Sequence, residues 1–104
     1  MVANFEIVKT AAIRFADDVR SIMPVDKVVL FGSYAKGTAT EYSDVDICFF
    51  IPTFGKRRCV DIIGDLIGMT RGRIAPFEPI VFTTSEIEND NPFVKEILST
   101  GVEI

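Results

Sequence analysis

Histidine is missing from all 104 residues, which excludes imidazole general bases, histidine-ligated zinc and every histidine-containing triad. Any acid, base or metal chemistry therefore falls to carboxylates. Cysteine is scarce: Cys48 lies in an apolar run and Cys59 in a segment of helical pattern, with neither CxxC spacing nor a histidine beside them. A buried, reduced pair is expected, not a metal knuckle or a disulfide framework. No apolar run approaches the ~18 residues that a membrane helix needs. Glu6, Lys9, Arg14 and Asp17 interrupt the apolar residues near the start, where a secretory signal needs them unbroken. A cytoplasmic protein with no membrane partner is the expectation. Positive charge is in deficit, with 11 Lys and Arg against 15 Asp and Glu and a net charge of −4. That balance disfavours nucleic acid as a direct partner.

What is present suits one compact domain over residues 1–104, with 48% hydrophobic and 25% charged residues. A chain of this length has no room for an enclosed cleft between lobes, so its site should be an open groove on one sheet, with space for a partner to complete it. Assembly with a partner or as a homo-oligomer is expected on the same ground.

From Asn4 to Ile22, the residues Phe5, Val8, Ala12, Phe15, Val19 and Ile22 share one helical face, stopped before Pro24. Val25 to Phe31 reads as a buried strand running into a tight turn at Gly32. Ser33 to Lys36 suits a short helix, with Ser33 as its N-cap and Gly37 in the left-handed closing position, and a polar loop runs from Thr38 to Ser43. Asp44 to Ile51 is a second strand, and Lys56 to about Thr70 a helix with Val60, Ile63 and Ile67 near one face, where Gly64 and Gly68 would let it lie close on a sheet. Phe77 to Thr83 is a third strand, placed at an edge by Pro79. Ser85 to Glu88 fits a capping box, and Asn91 with Pro92 starts a last helix through Leu98, ended by Gly101. The order α β α β α β α gives an α/β (α+β) fold with a mixed sheet of at least three strands packed with helices.

Asp44 and Asp46 are the most informative residues. A spacing of two along a strand sends both carboxylates to one face, where they repel unless a cation sits between them. Hard oxygen ligands on a rigid strand suit Mg²⁺, which keeps waters and takes one or two protein carboxylates plus substrate phosphates. Gly32 and Ser33, at a strand-to-helix turn, offer backbone N–H groups and a hydroxyl to an anion, although the Walker spacing is absent. If the first two strands pair antiparallel, Gly32 and Ser33 lie beside Asp44 and Asp46. The crossover helix then makes the third strand parallel to the second, which brings Glu78 to the same sheet end. Three carboxylates beside a phosphate-binding turn suit two-metal nucleotidyl transfer. Each feature alone also has an ordinary reading: solvated strand acids, a plain turn, an exposed edge glutamate. Arg71 and Arg73, expected near the carboxylate end, and Lys56, Arg57 and Arg58, at the other end, read first as solvated surface.

The stretch GSYAKGTATEYSDVD matches the pattern GS-x10-DxD and so resembles the DNA polymerase beta-like nucleotidyltransferase superfamily. A chain with little beyond that core looks more narrowly like a minimal nucleotidyltransferase, the kind found as antitoxin beside HEPN toxins. The resemblance implies Gly32 and Ser33 at the nucleotide phosphates with Lys36 as the nearby cation, two Mg²⁺ ions on Asp44 and Asp46, and Glu78 as third carboxylate. It also implies ATP or another nucleoside triphosphate as substrate, and a HEPN-type partner whose tyrosine accepts AMP. The chain departs from the pattern at Tyr34, where many relatives carry a basic residue, and at Glu78, where Asp is commoner. A competing reading is a binding module of the same fold that neutralises or scaffolds a partner by contact, with weak catalysis or none. Transfer to a small molecule or to RNA fits less well, because such relatives add further domains.

Overall fold

The computed structural model describes residues 4–40 and 43–104. Helix α1 (Phe5–Arg20) opens on Asn4, whose side chain accepts hydrogen bonds from the Glu6 and Ile7 N–H groups at 2.9 and 3.3 Å. Its stripe Val8, Ala12, Phe15 and Val19 is fully buried, joined by Ala11 and Ala16. The expected stripe ran on to Ile22, but the helix ends at Arg20 and Ile22 is left 60% exposed.

Strands β1 (Lys27–Phe31), β2 (Val45–Ile51) and β3 (Phe77–Thr83) are joined by helices α2 (Ser33–Lys36) and α3 (Cys59–Gly68). A 3-10 turn (Thr84–Ile87), helix α4 (Pro92–Thr100) and strand β4 (Val102–Glu103) complete the chain. The sheet order is β3-β2-β1-β4, with β1 antiparallel to both β2 and β4, and β2 parallel to β3. The expected pairings and the edge position of β3 are thus borne out. The two-residue β4 has no sequence signature and exists only because Gly101 turns the chain back along β1.

Side-chain alternation divides the core. Leu30, Ile47 and Phe49 pack with α1, α2 and α3, where Phe15 meets Phe49 edge-on at 5.6 Å and Phe77 at 5.0 Å. Val29, Cys48 and Phe50 pack instead with Val94 and Ile97 of α4. The side chain of Asn91 caps α4 as expected, accepting from the Phe93 and Val94 N–H groups. The Ser85–Glu88 signal yields only the 3-10 turn.

Helix α3 is shorter than expected and turned differently. It buries Ile62 and Leu66, while Val60 and Ile67 are 62% and 53% exposed and Gly64 and Gly68 face open space. Five apolar residues spread over so wide an arc allow two faces, and packing on β3 chose the other. Of the three cations before this helix, Arg57 pairs with Asp65 at 2.7 Å and Arg58 with Asp61 at 3.1 Å, so the helix's own acids offset the dipole conflict. Both cysteines are free, but only Cys48 is buried, and Cys59 is half-buried. Burial pushes the Cys48 thiol up to about 12, leaving it an inert core side chain.

Candidate active site

The turn after β1 is made by Gly32 at φ +73° and ψ −150°, a region open in practice only to glycine. Gly32, not Ser33, stands at the N-cap of α2; Ser33 is the first helical residue, because the helix begins directly at this positive-φ turn. Gly37, at φ +75°, closes the helix as expected, its N–H donating to the Ser33 carbonyl. Of the polar loop that follows, Glu41 and Tyr42 lie outside the described residues.

Asp46 sits opposite Phe31 of β1 and opposite Glu78 of β3. Val45 and Ile47 point into the α1 side of the core, so Asp46 points to the other face. There it meets the Gly32 turn so closely that a Cβ built on Gly32 would collide with Asp46 Oδ2. Asp44 lies one residue before the strand and is exposed, as is Glu78. Burial raises the Asp46 carboxyl above its usual range first, and the negative charges of Glu78 and Asp44 add to that rise. Gly32, Asp44, Asp46 and Glu78 thus converge at one sheet end. Among the described residues no three acid, cysteine or histidine side chains are gathered into a ready metal-holding group. The site is an open arrangement of carboxylates and not a cage.

That arrangement fits a hydrated Mg²⁺, whose shell needs only one or two protein carboxylates beside waters and phosphate oxygens. Burial raises Asp46 most, and the like-charge crowding that adds to it is the part a dication relieves.

Lys36, expected at the phosphates, lies against Glu96 of α4 with Nζ 3.4 Å from Oε1. The pair borders a cavity of about 190 Å³ whose wall includes Gly32, Phe31 and Phe93. Glu96 carries no local signal in the sequence, since only the docking of α4 brings it to Lys36. Tyr34 is 4% exposed and belongs to the α1-side core, its hydroxyl without a hydrogen-bond partner among the described residues. Tyr34 is therefore a packing residue. Arg73 follows α3 toward the start of β3, as expected, but on the α1 side and not as solvated surface: it donates to Asp18 at 2.7 Å and to the Met69 carbonyl at 2.8 Å, and its guanidinium lies 4.7 Å from the Phe15 ring, which in turn meets Phe77. Arg71 remains exposed.

The pattern of the family described as "Nucleotidyltransferase domain" matches residues 12–102. The chain belongs to that family. This nucleotidyltransferase domain is similar to two proteins of Methanocaldococcus jannaschii, each described as a "putative protein adenylyltransferase". One is 51% identical over 45 residues, a match that spans 43% of this chain but only 26% of the relative. The other is 29% identical over 104 residues and is covered over 96% of its length, against 95% of this chain. In fold, the nucleotidyltransferase domain resembles a solved "putative nucleotidyltransferase" from Sulfolobus solfataricus, with a TM-score of 0.68 at 24% identity, covering 90% of this chain and 76% of that one. Among the described residues, no helix is long and apolar enough to cross a membrane.

Proposed function

We propose that this nucleotidyltransferase moves a nucleoside monophosphate, AMP from ATP, onto a hydroxyl of a partner protein. The observation that carries the reading is the approach of the Gly32 backbone to the Asp46 carboxylate, with Glu78 across from it on β3. Gly32 leaves a bare backbone at the turn where triphosphate oxygens would lie, and the Ser33 hydroxyl would donate to them without adding charge. Asp44 and Asp46 would hold Mg²⁺, with Glu78 as the further carboxylate toward a second ion. When bound there, Mg²⁺ supplies charge neutralisation and polarisation of the phosphates.

In the reaction the acceptor oxygen loses its proton and bonds to the α-phosphorus as the bond to the β-phosphate oxygen breaks, releasing pyrophosphate. The residues named here bind and orient in that step, and no covalent enzyme intermediate is needed. The descriptions carried by the two archaeal relatives support a protein acceptor. The narrower resemblance to minimal nucleotidyltransferases supports a HEPN-type toxin as that acceptor and an antitoxin role in the cytoplasm.

A second reading, a catalytically weak module that acts by contact, is favoured by one feature: Glu96 occupies Lys36, the cation nearest the turn. Co-purification from the native host, followed by labelled ATP with Mg²⁺ and intact-mass analysis, separates the two. Label on a partner chain, lost in the double variant Asp44→Asn, Asp46→Asn, is the expected result. Neutralisation of the partner that survives in the double variant would establish the second reading instead.

A further inference from the structure

The first half of α1 and Ile74 border an apolar groove of about 370 Å³, lined by Glu6, Ile7, Thr10, Ala11, Arg14 and Ile74. Ile7 and Ile74 are 47% and 71% exposed, so two large apolar side chains stand in water at its walls. Glu6 and Arg14 mark its two ends, and neither has an ion-pair partner among the described residues. They are eight positions apart on one helix, about 12 Å along its axis at ~1.5 Å per residue. Thr10 lies midway, with its hydroxyl proton already donated to the Glu6 carbonyl at 3.0 Å. The centre of the groove therefore presents no unspent hydroxyl donor.

We propose that this groove is a twofold interface with a second copy of the same chain, with the α1 helices antiparallel and crossing near Thr10. With a twofold axis at Thr10, Glu6 of each copy faces Arg14 of the other, so the one pattern of charge is complementary to itself. Ile7 and Ile74 of both copies are covered between the two ion pairs. A stable interface takes about 800 Å² from each partner, roughly a seventh of the 5978 Å² surface, so the contact must run beyond the groove along the outer face of α1. Because α1 packs on the sheet face opposite Asp46, dimerisation leaves both carboxylate sites open.

Sedimentation equilibrium of the full chain tests this, with circular dichroism as a check that each variant is folded. The parent should dimerise with concentration. Arg14→Glu makes every facing pair acidic and Glu6→Arg makes every pair basic, so each should weaken self-association roughly tenfold or more. An equimolar mixture of the two variants should recover a 1:1 dimer, because it restores both opposite-charge pairs, and a mere loss of helix stability would not be rescued this way. Ile74→Asp should abolish association. A parent chain still monomeric at about 1 mM, the weak end of specific association, would overturn the proposal. So would a dimer indifferent to these substitutions, or no recovery on mixing.

Discussion

Gly32 and Asp46 touch across β1 and β2: the space a side chain would take on Gly32 is already filled by the Asp46 carboxylate. The close approach follows from the antiparallel register that sets Phe31 opposite Asp46, one residue before the turn. It ties the backbone at the turn to the carboxylate at the start of β2, so neither can change alone.

Gly32→Ala should accordingly lose function before it loses the fold. The positive φ costs about 1–3 kcal/mol for a residue with a Cβ, which denaturant unfolding should register. The Asp46 side chain can swing aside, so the chain should fold, while calorimetry should find Mg²⁺-dependent ATP binding gone. Unchanged binding in the alanine variant would show that the Gly32–Asp46 contact is not part of the site.

The raised Asp46 carboxyl makes a prediction about stability in chelator, without metal. An acid whose pKa is higher folded than unfolded penalises the fold when charged; the penalty is full above the folded pKa and fades as pH falls through it. Asp46→Asn should thus melt above the parent at pH 7, with the gap closing below the ordinary Asp range. Added Mg²⁺ should stabilise the parent and not the variant. A variant less stable than the parent at neutral pH would contradict the desolvation and like-charge account.

Glu96 pairs with Lys36 at 3.4 Å, so on the proposed function it would compete with the nucleotide phosphates for that cation. Glu96→Gln should therefore tighten ATP binding several-fold, while Lys36→Met should weaken it by about tenfold, within the range of one charge-assisted contact. Isothermal titration at low salt distinguishes this from a purely structural ion pair, for which neither change would alter nucleotide affinity.

Two glycines should respond to alanine with opposite signs. Gly64 is mid-helix on α3 with open space around it, so Gly64→Ala should stabilise by about 0.4–1 kcal/mol. At Gly101 a Cβ would run into the Ile97 carbonyl and the Val29 side chain, so Gly101→Ala should destabilise by roughly 1–3 kcal/mol. Chemical denaturation of both variants measures the pair in one experiment.

Much of the site was legible because its signals are local. The two-residue spacing of Asp44 and Asp46, the glycine at a strand-to-helix turn and the apolar strands around them are set by backbone geometry. The pairing of strands followed from connection lengths, which is how Glu78 could be placed opposite Asp46 from a segment some thirty residues away. The face of α3 was misread because Val60, Ile62, Ile63, Leu66 and Ile67 are all apolar, and periodicity cannot choose among faces when the apolar arc is that wide. Arg73 was read as solvated for a related reason: a charged residue after a helix reads as surface until the partner beneath it, here Phe15 with Asp18, is known.

The amino-acid order by itself therefore determined the class of chemistry, by lacking histidine and holding paired aspartates, and determined the order and pairing of the three long strands. Tertiary structure alone decided what Lys36 does, which way α3 faces, that β4 exists, and that Glu6, Ile7, Arg14 and Ile74 share one open groove. Each of those depends on side chains distant in sequence meeting in space. Propensity and periodicity act over a few residues, whereas docking energies are settled only when whole elements pack.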